Sequence, residues 1–150
     1  MILMMRNFLS FILAIAILSG CSMVADIAQL NETSSSDSAA TEAALAKAFE
    51  TQQSDLQIEG QGRVIKILPD DTKGSQHQRF IIELSSGQTL LVAHNIDLAP
   101  RINSLNQGDL VQFYGEYEWN PEGGVIHWTH HDPAGRHVDG WLKHNGVTYQ

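Results

Sequence analysis

Cysteine occurs once in this 150-residue chain, at position 21, so no intramolecular disulfide can staple the fold and stability must come from an apolar core. Positive charge is also scarce, with nine Lys+Arg against seventeen Asp+Glu and a formal charge of −8. An acidic chain without a basic stripe is a poor match to nucleic acid, where cationic side chains supply most of the affinity. The apolar stretch Phe8–Leu18 has eleven residues, too short to cross a bilayer unaided. The sequence contains no Gly-x-Ser-x-Gly elbow, no phosphate-cradling glycine-rich loop and no His-x-His pair. Nucleophilic catalysis therefore finds little support.

What is present begins at the N-terminus. Arg6 ahead of Phe8–Leu18 has the layout of a secretory n-region and h-region. Leu18-Ser19-Gly20-Cys21 follows, with a small residue directly before the cysteine and Leu three places ahead of it. This pattern resembles the lipobox of bacterial lipoproteins. The resemblance implies a signal peptide over residues 1–20, cleavage before Cys21 and lipidation of that cysteine. It further implies a membrane anchor, and Ser22 in place of Asp implies the outer membrane, facing the periplasm. The bland alternative is an uncleaved hydrophobic N-terminus with an incidental cysteine. Cleavage would leave 130 residues with eight bases against seventeen acids, a charge of −9. That suffices for one domain and a tether.

Acidity is concentrated early: residues 22–59 carry seven acids and one base, Lys47, whereas all seven histidines lie between His77 and His144. Residues 21–38, ending in the polar run Asn31–Ser38, read as a lipidated anchor and flexible tether. Residues 39–54 read as a short helix that puts Leu45, Ala48 and Phe49 on one face. From residue 55 the period becomes that of strands. Ile58–Leu68, Arg79–Leu84 and Thr89–His94 are three β-rich runs, divided by turn-forming segments at Pro69–Gly74 and Ser85–Gln88. Leu98–Gln107 is irregular and predicts a short helical turn. Asp109–Trp119 alternates, with Val111, Phe113, Gly115, Tyr117 and Trp119 on one face and Gln112, Tyr114, Glu116 and Glu118 on the other. Asn120–Gly124 turns the chain into Val125–His130, and Asn145-Gly146 signals a closing hairpin over Trp141–Tyr149.

Three strands, an irregular connection and two more strands is the element order of an OB-fold. The expected class is mainly β: over residues 55–150, a small OB-like five-stranded barrel with a C-terminal β-hairpin extension, preceded by the short N-terminal helix. Leu105-x-x-Gly108-Asp109-x-Val111 looks like the entry to the fourth strand of such barrels. A generic small barrel or two-layer sandwich is the competing architecture. The segments His94–Arg101 (HNIDLAPR), Gly115–Asn120 (GEYEWN) and Val125–Tyr149 are similar to the pattern of a family of small bacterial secreted proteins and lipoproteins of unknown function. That resemblance spans roughly residues 57–150 and brings no assigned activity or site residues.

Five histidines crowd into residues 127–144: His127, His130, His131, His137 and His144. Imidazole offers neutral nitrogen ligands and a near-neutral proton carrier. On a continuous strand His127 and His131 would sit about 13 Å apart, too far to share an ion, so a joint site requires the chain to leave strand geometry near His131-Asp132-Pro133. Candidate metal ligands are then His130, His131, Asp132 and His137, with a divalent cation as the possible cofactor. The plainer reading is half-buried histidines bonded to Asp132, Asp139 or backbone beside Trp128 and Trp141. Asp70, Asp71 and His77 form a second group, which turn chemistry explains well. Arg101, Arg136 and Lys143 are the cations best placed to meet an acidic ligand; Asp97, Glu116 or Asp139 could equally neutralise the arginines.

Two functions are expected from these residues. In the first, a non-enzymatic envelope lipoprotein binds a ligand or protein partner through His94, Arg101, Trp128, His130, His131, Arg136, His137 and Trp141. In the second, His94, His130, His131, Asp132 and His137 build a metal-dependent hydrolase of nuclease or phosphodiesterase type. A purely structural envelope protein stands behind both. Outward Tyr114, Glu116 and Glu118 suit a glycan, peptide or cation better than nucleic acid.

Overall fold

A computed structural model describes residues 22–150, so the signal peptide expected over residues 1–20 and the lipidation expected at Cys21 lie outside the described residues. Helix α1 (Ser22–Glu50) is followed by β1 (Leu56–Ile67), β2 (His77–Glu83), β3 (Thr89–Asn95), β4 (Leu110–Glu118) and β5 (Val125–His127). A closing hairpin, β6 (Trp141–His144) and β7 (Val147–Tyr149), completes the chain. Strands pair in the order β1-β2-β3-β5-β4, and β4 returns to β1, which closes a five-stranded barrel. The β3–β5 pair is parallel and the others are antiparallel. This is the OB-like architecture expected from the element order, with β6–β7 added where β6 pairs with the Val111–Tyr114 half of β4.

The barrel interior follows from period-2 burial. Phe80 and Ile82 of β2, Leu90 and Val92 of β3, Val111, Phe113 and Tyr117 of β4, and Ile126 of β5 fill it. Both ends are stopped by apolar side chains. At one end α1 contributes Leu45 and Ala48 to the core, while Glu42 accepts hydrogen bonds from the Ser85 and Ser86 amides of the β2–β3 turn. Trp119 Nε1 donates to the Phe49 carbonyl, which ties the end of β4 to the end of the helix. At the other end the 96–107 connection inserts Ile102 and Leu105, and Gln78 exchanges two hydrogen bonds with the Ile102 backbone. That connection forms turns rather than a helix; one helix-like bond, Ala99 N–H to Asn95 O at 3.1 Å, is what remains of the expected helical turn.

Two sequence expectations change. The helix is not confined to residues 39–54: its backbone runs through the polar Asn31–Ser38 stretch that read as a tether. Interior Ser, Thr and Asp cost only tenths of a kcal/mol each relative to Ala, so about 0.7 kcal/mol at most per residue does not stop a helix propagating out of the Ala-rich segment. The fifth strand ends at His127 instead of His130, because Trp128 takes a left-handed φ of 51° and turns the chain out of the sheet. Departure from strand geometry therefore comes three residues earlier than His131-Asp132-Pro133.

Candidate functional site

Outward positions on β4 and β5 converge with the loop that follows them. Alternation leaves Tyr114, Glu116 and Glu118 on the outer face of β4 while Phe113, Gly115 and Tyr117 are buried. Glu116 and His127 are direct partners in the β4–β5 ladder, so the hairpin delivers the imidazole beside both carboxylates. His127 Nε2 lies 3.2 Å from Glu116 Oε1 and 3.9 Å from Glu118 Oε1. The other oxygen of Glu116, Oε2, is 2.7 Å from His137 Nε2. One carboxylate thus bridges two histidines.

The pKa values of the two imidazoles shift in opposite directions. His137 has oxygen acceptors at both ring nitrogens, Glu116 Oε2 at 2.7 Å and the Val138 carbonyl at 2.8 Å, an arrangement that calls for N–H at each. Burial opposes that charge, but the hydrogen bonds the ring donates to Glu116 and Val138 outweigh it and raise the pKa above the ordinary 6.5. Trp128 stacks on the ring at 4.1 Å and 8°, a π-face that would favour the protonated form. His127 is shifted the other way: burial lowers its pKa despite the attraction of Glu116 and Glu118. Its Nε2 is sealed from solvent and makes no hydrogen bond of acceptable geometry.

The loop from Trp128 to Gly140 is pinned by its own aspartates. Asp132 Oδ1 accepts from Ala134 N, and Oδ2 from the Arg136 and His137 amides, which pulls the Asp132 pKa down. Asp139 accepts from the Asp132 amide and pairs with His131 Nδ1 at 2.9 Å; both contacts lower its pKa. Gly140 then fits between two backbones. Its N–H donates to His130 O at 2.9 Å, and a Cβ at this position would collide with the carbonyl oxygens of Trp128 and Tyr114. Immediately afterwards Trp141 pairs with Tyr114, ring centroids 6.3 Å apart, with Lys143 Nζ 5.7 Å above the indole. Beside the carboxylates, His77, Ala93, Asn95, Leu98, His127, Trp128 and His130 line a cleft of about 180 Å³.

The structure divides the residues singled out by sequence. Trp128, His130 and His137 do meet, with His130 and Trp128 rings 5.3 Å apart, and Trp141 joins the same face through Tyr114. His94 does not: it is fully buried in the barrel, bonded to Thr129 Oγ1 at 2.8 Å and to Pro100 O at 3.2 Å. Arg101 meets neither Asp97, Glu116 nor Asp139; its guanidinium is engaged by Asp70 and Asn103. Arg136 serves the loop through its amide. Asp71 caps Lys73 N and bridges His77 through the backbone, as turn chemistry expects.

The proposed ligand set of His130, His131, Asp132 and His137 is likewise dispersed over separate partners. His130 Nδ1 faces the His131 carbonyl, His131 faces Asp139, Asp132 holds loop amides and His137 holds Glu116. Among the described residues, the His/Cys/Asp/Glu group whose donor atoms all lie within 4.8 Å of one another is Glu116, Glu118 and His127. Its signal was present in the sequence as two carboxylates two residues apart on one strand and a histidine across a short turn. Only the register makes His127 the histidine that lies against both carboxylates, while the later His137 reaches Glu116 alone.

Comparison with curated proteins gave no match. A family model matches residues 27–150, which takes in most of α1 and all seven strands, and the chain belongs to that family, described as protein of unknown function (DUF3465).

Proposed function

We propose that this protein is a lipid-anchored component of the bacterial envelope, held through Cys21 and facing the periplasm, whose barrel is a non-enzymatic binding module. The ligand face is the outward surface of β4 and β5 with the Trp128–Trp141 segment. The observation that carries this reading is the gathering of Tyr114, Trp128 and Trp141 around Glu116 and His137 on one half-exposed surface beside a cleft. Aromatic faces offer apolar stacking area, and the carboxylates accept hydrogen bonds from hydroxyl or ammonium groups. That combination fits a glycan or a short peptide. The hydrolase alternative drew on His94, His130, His131, Asp132 and His137; His94 is sealed in the core and the other four hold separate partners, which favours the binding reading.

Soluble peptidoglycan fragments, which present both sugar rings and short peptides, are the probe. Titrated into the full chain in detergent, they are expected to change tryptophan fluorescence saturably. Trp128→Ala and Trp141→Ala should each weaken binding by about tenfold or more. No saturable change, or affinity in both variants unchanged from that of the unaltered chain, disposes of this reading.

A further inference from the structure

We propose that Glu116, Glu118 and His127 form a binding site for a divalent first-row transition-metal ion, with zinc as the best-matched occupant. This deepens the reading of the β4–β5 face as a binding surface and gives its centre a chemically defined guest.

The argument starts from distances. Ligands arranged tetrahedrally at about 2.0–2.2 Å from zinc stand roughly 3.3–3.6 Å from one another. His127 Nε2 is 3.2 Å from Glu116 Oε1 and 3.9 Å from Glu118 Oε1, and all three donor atoms fall within 4.8 Å of each other. Small side-chain rotations bring such a set onto one ion. The donor chemistry selects its class: calcium and magnesium favour all-oxygen shells, whereas an imidazole beside carboxylates suits zinc and its neighbours. Two carboxylates match the charge of a divalent ion, and water or a ligand group would complete the coordination shell.

A second feature concerns the nitrogen itself. His127 Nε2 is buried and makes no hydrogen bond, although two carboxylate oxygens lie nearby. A polar nitrogen left in that condition costs free energy that a coordinated cation would recover. The surroundings also behave as ligand support. His137 occupies Oε2 of Glu116, fixing that carboxylate so that Oε1 faces His127, in the manner of the outer partners that orient metal-bound groups.

The test is zinc chloride in equilibrium dialysis against the full chain in detergent, with elemental analysis of the retained metal. Zinc should be held at one per chain and should raise the melting temperature, because the ion binds the folded state. Glu118→Gln and His127→Gln should each weaken binding by about tenfold or more, while His131→Gln, outside the trio, should leave it unchanged. Glu118→Gln is nearly isosteric at a half-exposed position, so it carries the test if His127→Gln fails to fold. Cobalt(II) gives an independent readout, since a four-coordinate nitrogen/oxygen site has visible absorption bands that both variants should abolish. The proposal is overturned by no rise in melting temperature, by unchanged zinc affinity in Glu118→Gln, or by loss of binding in His131→Gln, which would mark scattered surface imidazoles. Peptidoglycan-fragment binding that survives without zinc binding removes the metal site alone; zinc binding without fragment binding removes the glycan–peptide reading alone.

Discussion

At position 94 an imidazole sits wholly inside the barrel, between Thr129 and the Pro100 carbonyl. Burial lowers its pKa from 6.5 to about 4 despite both hydrogen bonds. The unfolded chain therefore takes up a proton between those values that the native state refuses, so stability is lost as pH falls through that window. The full loss attributable to His94 is about 3 kcal/mol. Urea melts at pH 7.5 and 4.5 should show this drop, and His94→Gln should show a shallower one even though it is less stable at pH 7.5. His127, also shifted down by burial, adds a contribution of the same sign. Gly140 supplies a second prediction at this scale. Gly140→Ala drives a methyl into the Trp128 and Tyr114 carbonyls and should cost about 1–3 kcal/mol, with a changed near-ultraviolet signal from Trp128 and Trp141.

Among the elements, α1 shows most clearly how a local propensity becomes tertiary structure. Its Ala-rich composition favours helix, but the barrel supplies the socket: Leu45 is completely buried, and Thr41 Oγ1 donates to the Glu59 carbonyl of β1. Leu45→Ala should cost about 2–5 kcal/mol by the lost transfer energy and the cavity left behind, measured by urea unfolding. A cost below about 1 kcal/mol would mean that the helix is not part of the cooperative unit. For function the deciding element is the β4–β5 hairpin. Its register sets Glu116 against His127, and the left-handed turn at Trp128 sends His130, His131 and His137 into a loop. Neither feature can be read from hydrophobic alternation, which is why the later cluster of imidazoles looked like the site.

For the whole molecule, the proposed envelope address is the reading most open to direct measurement. Residues 1–21 lie outside the described structure, and none of the described helices is long and apolar enough to cross a membrane. If Cys21 carries the anchor, Cys21→Ala should move the protein from the membrane to the soluble fraction, and labelled fatty acid should no longer be incorporated. Retention in the membrane by the variant would count against the lipid anchor. The barrel has no disulfide to rely on, so its cooperativity rests on the apolar interior and on the two end plugs, Leu45 with Ala48 and Ile102 with Leu105.

Much of this architecture was legible without coordinates because burial imposes a period on each strand. Val111, Phe113 and Tyr117 had to face inward together, and three strands, a connection and two strands closed as an OB-like barrel. The composition also ruled on disulfides and weighed against nucleic acid, since cysteine count and charge need no geometry. The site was different. Which histidines meet Glu116, whether His94 points in or out, and which acid holds Arg101 depend on strand register, on one left-handed residue and on where a loop folds back. Those are long-range contacts between side chains distant in sequence, and only the closed barrel brings them within bonding distance.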